Sequence, residues 1–260
     1  VKDLFVPNRF IGKTCIVTGA ESGIGKATAH RFYKEGAAVF ALGLDETSGQ
    51  KWITEARVEG RKLEFIRTDI SKSKDVSEAV ARIGKEQGKI DVLVNNAAIF
   101  NYKKVHELDE ADWDRVMAVN VKGAYLMSKF VIPFMKIDGG AIVNVASVHA
   151  FATMDSVPAY AASKGAIVAL SRQMAIDYIT DGIRVNSVVV GGVKTQMSLQ
   201  HAASLGQSLD DLGFVEDRKK LGRTAQPEEI AAGITYLASE DASFVVGSAF
   251  LIDGGLTADL

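Results

Sequence analysis

Cysteine is nearly absent. Cys15 is the only one in 260 residues, so no internal disulfide can form, and a reducing, cytoplasmic setting suits the chain. It lies in an apolar strand-like run, where a buried, inert thiol is expected rather than a nucleophile. The four histidines, His30, His106, His149 and His201, are scattered without His–Glu spacing, which gives no pattern for a metal site. A net charge of −2 provides no field for nucleic acid or an anionic membrane. No apolar run approaches the ~20 residues of a membrane span. The opening Val1-Lys2-Asp3-Leu4-Phe5 lacks a signal-peptide pattern. At 47% hydrophobic and 24% charged, the composition is that of a soluble globular protein.

Strand-like and helix-like stretches alternate from Lys13 to Ile252. The pattern predicts strands at Lys13–Thr18, Ala37–Leu42, Lys62–Thr68, Ile90–Val94, Ala141–Ala146, Ile183–Val190 and Ala249–Ile252. Helices are predicted at Lys26–Glu35, Glu46–Glu59, Lys72–Gly88, Glu107–Ala118, Val121–Lys136, Ala159–Thr180 and Pro227–Ala238. Residues 1–11 read as an arm on the surface. Such alternation implies an α/β fold, a doubly wound parallel sheet with helices on both faces. No linker or composition break divides it, so 1–260 is read as one domain. The largely polar stretch 194–217 is read as a substrate lid.

Ligands in such sheets bind beyond the C-terminal ends of the strands, and several motifs collect there. Gly19-Ala20-Glu21-Ser22-Gly23-Ile24-Gly25 sits between the first strand and a helix. It is either a tight structural turn or a cradle in which a pyrophosphate meets the helix N-terminus. The second strand ends in Gly43-Leu44-Asp45, with neither an acid nor an arginine in first place. Asp45 is two residues late but able to bend back to a ribose, and Glu21 disfavours a nearby phosphate. No basic residue is offered, which leans the reading to NAD over NADP. Asp69, with Ile70, follows the third strand and either caps the next helix or meets an adenine. Asn95-Asn96-Ala97-Ala98 closes the fourth strand with small residues. Asn120 interrupts a helical run, as a helix start or kink, or as a side chain or carbonyl that holds a water.

Tyr160 and Lys164 are one helical turn apart on the same face. A free phenol has a pKa of ~10, and a neighbouring cation favours the phenolate. Such a pair can take a proton from an alcohol or return it to a carbonyl. Ser147, at the end of the fifth strand, is a second donor for an oxygen that gains charge as hydride is transferred. His149 either faces a substrate or belongs to a surface loop.

In this order and spacing the chain resembles the short-chain dehydrogenase/reductase family over nearly its whole length. The matching marks are Thr18-Gly19-x-x-x-Gly23-Ile24-Gly25, Asp69, Asn95-Asn96-Ala97, Asn120, Ser147, Tyr160-x-x-x-Lys164 and Asp253-Gly254-Gly255. The resemblance implies a Rossmann-like sheet, NAD(P)-dependent interconversion of an alcohol and a carbonyl compound, and a homotetramer. It implies Tyr160 as the acid/base, with Lys164 lowering its pKa and binding the nicotinamide ribose. Ser147 would bind the substrate oxygen, and Asn120 would position a water. Gly19, Ser22, Gly23, Ile24, Gly25, Asp69, Ile70, Asn96 and Ala97 fall at cofactor positions, and Val193 and Thr195 match the part that holds the nicotinamide amide. Val190-Gly191-Gly192 stands where relatives often carry Pro-Gly. The helices Val121–Lys136 and Ala159–Thr180 correspond to subunit interfaces.

The polar 194–217 stretch and His149 suggest a hydroxylated substrate, a sugar or polyol. Reduction of a β-ketoacyl thioester is the alternative activity, although only Lys219-Lys220 and Arg223 provide a basic cluster for an acidic carrier. A non-catalytic dinucleotide sensor is a third reading, and it fits poorly with the presence of Tyr160, Lys164, Ser147 and Asn120 together.

Overall fold

The computed structural model describes residues 5–57, 60–204, 206 and 223–258. Seven parallel strands form one sheet in the order β3-β2-β1-β4-β5-β6-β7. They are β1 (Thr14–Thr18), β2 (Ala38–Gly43), β3 (Leu63–Arg67), β4 (Val92–Asn95), β5 (Gly140–Ser147), β6 (Ile183–Val190) and β7 (Ala249–Ile252). The helices are α1 (Gly23–Lys34), α2 (Glu46–Ala56), α3 (Ser73–Gln87), α4 (Glu110–Met117), α5 (Gly123–Met135), α6 (Pro158–Tyr178), α7 (Gln196–Ser204) and α8 (Pro227–Ala238).

The central strands are buried on both faces, so β1 reads as a continuous apolar run. Successive residues still serve opposite sides. Cys15 and Val17 join Val39, Phe32 of α1, Trp52 of α2 and Ile230 of α8. Ile16 joins Phe40, Val76 of α3, Leu126 of α5 and Met174 of α6 on the other side. Each fully buried side chain of this size contributes roughly 1.5–3 kcal/mol. The N-terminal arm is less superficial than expected. Phe10 is buried and meets Phe32 edge-on, while Arg9 and Arg31 pair with the buried carboxylate of Glu35.

The chain winds outward from β1 through β2 to β3, then crosses back to place β4 on the other side of β1. This reversal opens a crevice between the C-terminal ends of β1 and β4, the usual ligand position in an open α/β sheet.

The predicted helix pair 107–118 and 121–136 differs from what forms. The two are α4 and α5, joined by a wide π turn over Ala118–Lys122. The Gly123 amide reaches back five residues to the Ala118 carbonyl. A single inserted residue of this kind is invisible to a 3.6-residue periodicity.

Candidate active site

The floor of the crevice, about 330 Å³ in volume, is built by two loops fastened together. Thr18 Oγ1 accepts from the Asn96 and Ala97 amides at 3.0 and 3.1 Å. Asn96 Nδ2 donates to the Thr18 and Gly19 carbonyls at 3.0 and 3.2 Å. Gly19 has φ +62°, and a Cβ there would lie 2.8 Å from Ala97 Cα; only glycine accepts both conditions. From behind, the Trp52 indole donates to the Ala20 carbonyl at 2.9 Å. Ser22 N-caps α1 without a side-chain bond to its first amides, and Ser22, Gly23 and Ile24 face the crevice. Uncapped N–H groups at a helix start suit a pyrophosphate, so these residues fit a dinucleotide.

At the other end stand Ser147, Tyr160 and Lys164. Pro158 starts α6 where its missing N–H is harmless, and α6 turns Tyr160 and Lys164 toward the end of β5. Ser147 and Tyr160 both line this end of the crevice. The Lys164 ammonium donates to the Val145 carbonyl at 2.8 Å and lies 5.4 Å from the Tyr160 ring centroid. Burial pushes the phenol up to about 12, against a smaller lowering from Ser147. Burial brings Lys164 down to about 8.

In the free chain burial, not Lys164, dominates the phenol's pKa. The ammonium is itself desolvated and is held by a backbone carbonyl, against the ring face. Without ligand the phenol is held in its neutral, proton-donating form.

The Lys164 shift has a testable sign. Its folded pKa of about 8 lies below the 10.5 of a free lysine, so between these limits the unfolded chain binds more protons. Stability from this group therefore rises with pH across that window. In urea unfolding at fixed protein concentration, the unsubstituted protein is expected to gain about 2 kcal/mol on Lys164→Met between pH 8 and 9.5, at 1.36 kcal/mol per unit. An equal difference at both pH values would place the ammonium's pKa near that of a free lysine.

Asn120 sits in the π turn, and its side chain is fully engaged. Oδ1 accepts from the Ile99 amide at 2.8 Å, and Nδ2 donates to the Ile99 carbonyl at 2.8 Å and Ser163 Oγ at 2.9 Å. Ser163 in turn donates to the Tyr160 carbonyl at 2.7 Å. Both N–H donors of the side chain are therefore committed within the protein. Asn120 also ties α6 to the 99–102 segment that borders Tyr160.

His149 lines the crevice, its ring 5.6 Å from that of Tyr160 and Nδ1 3.0 Å from Thr153 Oγ1. Burial, and secondarily Lys164, depress its pKa, so the imidazole is neutral near pH 7. Phe100 and Tyr102, which pattern reading did not single out, complete an aromatic wall: their rings are 4.8 Å apart, and Phe100 is 6.0 Å from Tyr160.

Asp69 and Ile70 both line the crevice. Asp69 does not cap α3, whose N-cap is Lys72. It instead accepts from the Ser71 amide at 3.1 Å and the Ser71 hydroxyl at 2.6 Å. Asp45 does not bend back. It caps α2 by accepting from Ser48 N at 3.0 Å and Ser48 Oγ at 2.6 Å, and it is absent from the crevice wall. Val193, Thr195 and Met197 line the opposite side. Thr195 starts α7 by exchanging hydrogen bonds with Ser198. Of the predicted lid, 205 and 207–217 lie outside the described residues.

Beneath the site, Asn95 Nδ2 donates to Asn144 Oδ1 at 2.8 Å, and Asn144 Nδ2 donates to Ser171 Oγ at 2.8 Å. This buried ladder joins β4, β5 and α6. Its signal was an asparagine inside the otherwise apolar run Ala141–Ala146. Among the described residues no cluster of His, Cys, Asp or Glu suits a metal ion, and no helix is long and apolar enough to cross a membrane.

A nucleotide-type crevice with a Ser, Tyr and Lys at its far end defines a dinucleotide-dependent oxidoreductase. A family model described as enoyl-(acyl carrier protein) reductase matches residues 19–257. The chain belongs to the short-chain dehydrogenase/reductase family and is an oxidoreductase acting on CH–OH groups. It is 37% identical over 269 residues to a 3beta-hydroxysteroid dehydrogenase of Mediterraneibacter gnavus, covering 97% of this chain and 98% of the relative. It is 37% identical over 250 residues to a meso-2,3-butanediol dehydrogenase of Serratia marcescens, covering 96% of each. Among solved structures, the ligand-free aldohexose dehydrogenase of Thermoplasma acidophilum matches with a TM-score of 0.84 and 32% identity, over 98% of both chains.

Proposed function

We propose that the chain interconverts a secondary alcohol and its ketone with NAD, and that the substrate is a ring bearing more than one hydroxyl, a sugar being the simplest case. The observation that carries the reaction is the convergence of Ser147, Tyr160 and the buried Lys164 on one end of the crevice, with the Lys164 ammonium 5.4 Å from the Tyr160 ring centroid. The bound dinucleotide supplies or accepts the hydride. Ser147 and Tyr160 donate to the substrate oxygen, and as negative charge develops on it the Tyr160 proton moves across. In the oxidative direction the phenolate of Tyr160 receives the alcohol's proton. Lys164 holds positive charge beside it, and Asn120 fixes the turn from which Tyr160 projects.

The substrate class follows from the wall. Phe100 and Tyr102 offer flat faces to the C–H side of a ring, and His149, neutral and close to Tyr160, offers a partner to a second hydroxyl. The names of relatives span a steroid, a butanediol and an aldohexose, so the wall and not kinship carries this choice. Exposed Tyr125 on α5 and Ile176 on α6, with Leu251 on the edge strand β7, support two interface faces and hence the homotetramer.

The test is a panel of alcohols with NAD, read by the absorbance of the reduced nicotinamide. Aldohexoses and cyclohexane-1,2-diol are expected to exceed cyclohexanol by about tenfold in kcat/KM, the value of one well-made hydrogen bond in a specificity pocket. Turnover confined to bulky apolar alcohols would overturn the substrate class. No turnover of any alcohol or ketone would overturn the reaction.

A further inference from the structure

Among the described residues, one carboxylate oxygen in the crevice wall has no hydrogen-bond partner. It is Glu21 Oε2, in the glycine loop, and it is shielded from solvent. The other oxygen, Oε1, accepts a long bond of 3.4 Å from the Leu44 amide. A shielded carboxylate oxygen with no donor is costly and marks a place where a donor is missing.

The carboxylate lies over the end of β2. A Cβ built on Gly43 would be 2.7 Å from Glu21 Cδ, and its three nearest atoms all belong to that carboxylate. Gly43 is not among the glycines with positive φ, so its backbone tolerates a side chain and only Glu21 excludes one. The end of β2 is where the adenosine ribose falls in this kind of sheet, and an acid there reads the 2′-hydroxyl. Asp45, the nearby alternative, is committed to Ser48. Among the described residues lining the crevice, the only lysine or arginine is Lys164, at the opposite end.

We infer that Glu21 selects the cofactor: reaching across from the glycine loop, its carboxylate accepts from the adenosine ribose hydroxyls and repels a 2′-phosphate, taking the place of an acid on β2. The inference rests on the dinucleotide reading above. Gly43 is the complement of Glu21, a residue kept small so that the carboxylate can occupy its side-chain space.

The test is a fluorescence titration with NADH and NADPH of the unsubstituted protein, Glu21→Gln, Gly43→Asp and the double variant Glu21→Ala/Gly43→Asp. The unsubstituted protein is expected to bind NADH at least tenfold more tightly than NADPH, the scale of one hydrogen bond to a charged group. Glu21→Gln should narrow that ratio to within about threefold. Gly43→Asp alone should weaken both ligands, because its side chain meets Glu21. The double variant should recover the NADH preference, with the acid moved to β2. An unchanged ratio in Glu21→Gln, or tighter NADPH binding by the unsubstituted protein, overturns the inference while leaving the dinucleotide site intact. If the unsubstituted protein binds neither ligand, the dinucleotide reading itself falls.

Discussion

Tyr160→Phe is expected to lower kcat by at least about 10³-fold while leaving NADH affinity within about threefold. The substitution removes one hydroxyl and retains the ring. The edge-on contacts with His149 and Phe100 and the approach of Lys164 to the ring face survive. What is lost is the proton donor, whose contribution as general acid is typically 10²–10⁴. The same hydroxyl is one of two donors to the developing oxyanion, and removing such a donor costs roughly 10²–10³. Because one group carries both roles, the losses overlap and do not multiply. Single-turnover rates with saturating dinucleotide, alongside a fluorescence titration, separate the effects. A variant with near-normal turnover would place the proton donor elsewhere, with His149 the first residue to examine.

The direction of the Tyr160 shift bears on how this phenol works. Burial keeps this phenol protonated in the ligand-free site, and by raising its pKa it also makes the group a weaker acid. Alcohol oxidation needs the phenolate, and the buried Lys164 becomes a stronger influence as the remaining water leaves the crevice and screening falls.

Much of this was legible in the sequence, and the failures have physical causes. The strands were readable because each is a short apolar run bounded by turn residues, and Ile183–Val190 matches β6 end for end. The order of glycine loop, Asn120, Ser147, Tyr160 and Lys164 was enough to point to one crevice, because a parallel sheet brings all strand ends to one edge. The roles of neighbouring acids were not legible. Asp45 and Glu21 are 24 positions apart, and whether either reaches the end of β2 depends on a cap bond to Ser48 and on the path of the glycine loop. The burial that raises the phenol's pKa was not legible either, because spacing places a cation nearby but does not report desolvation. The π turn at Asn120 was missed because it inserts a residue without changing composition.

Gly25→Ala is expected to remove dinucleotide binding and to destabilise the fold by about 3 kcal/mol, at the upper end for overpacking. Gly25 follows the uncapped start of α1, and its Cα faces back into the glycine loop. An added Cβ would lie 2.7 Å from the Gly19 carbonyl carbon and 2.6 Å from Asn96 Nδ2, and nearer still to the carbonyl oxygen. None of these can swing aside. The Gly19 carbonyl accepts from Asn96 Nδ2, and the Asn96 amide is held by Thr18. A single methyl group would therefore force α1 away from the β1–β4 loops and displace the amides of Ser22 to Ile24 that face the crevice. The expected result is at least a thirtyfold loss in NADH affinity together with a lower urea midpoint at unchanged m. If affinity fell with no change in midpoint, the loop would be yielding locally and its packing against Asn96 would be looser than described. If neither changed, the tight approach of α1 to Gly19 would not set the geometry of the dinucleotide site.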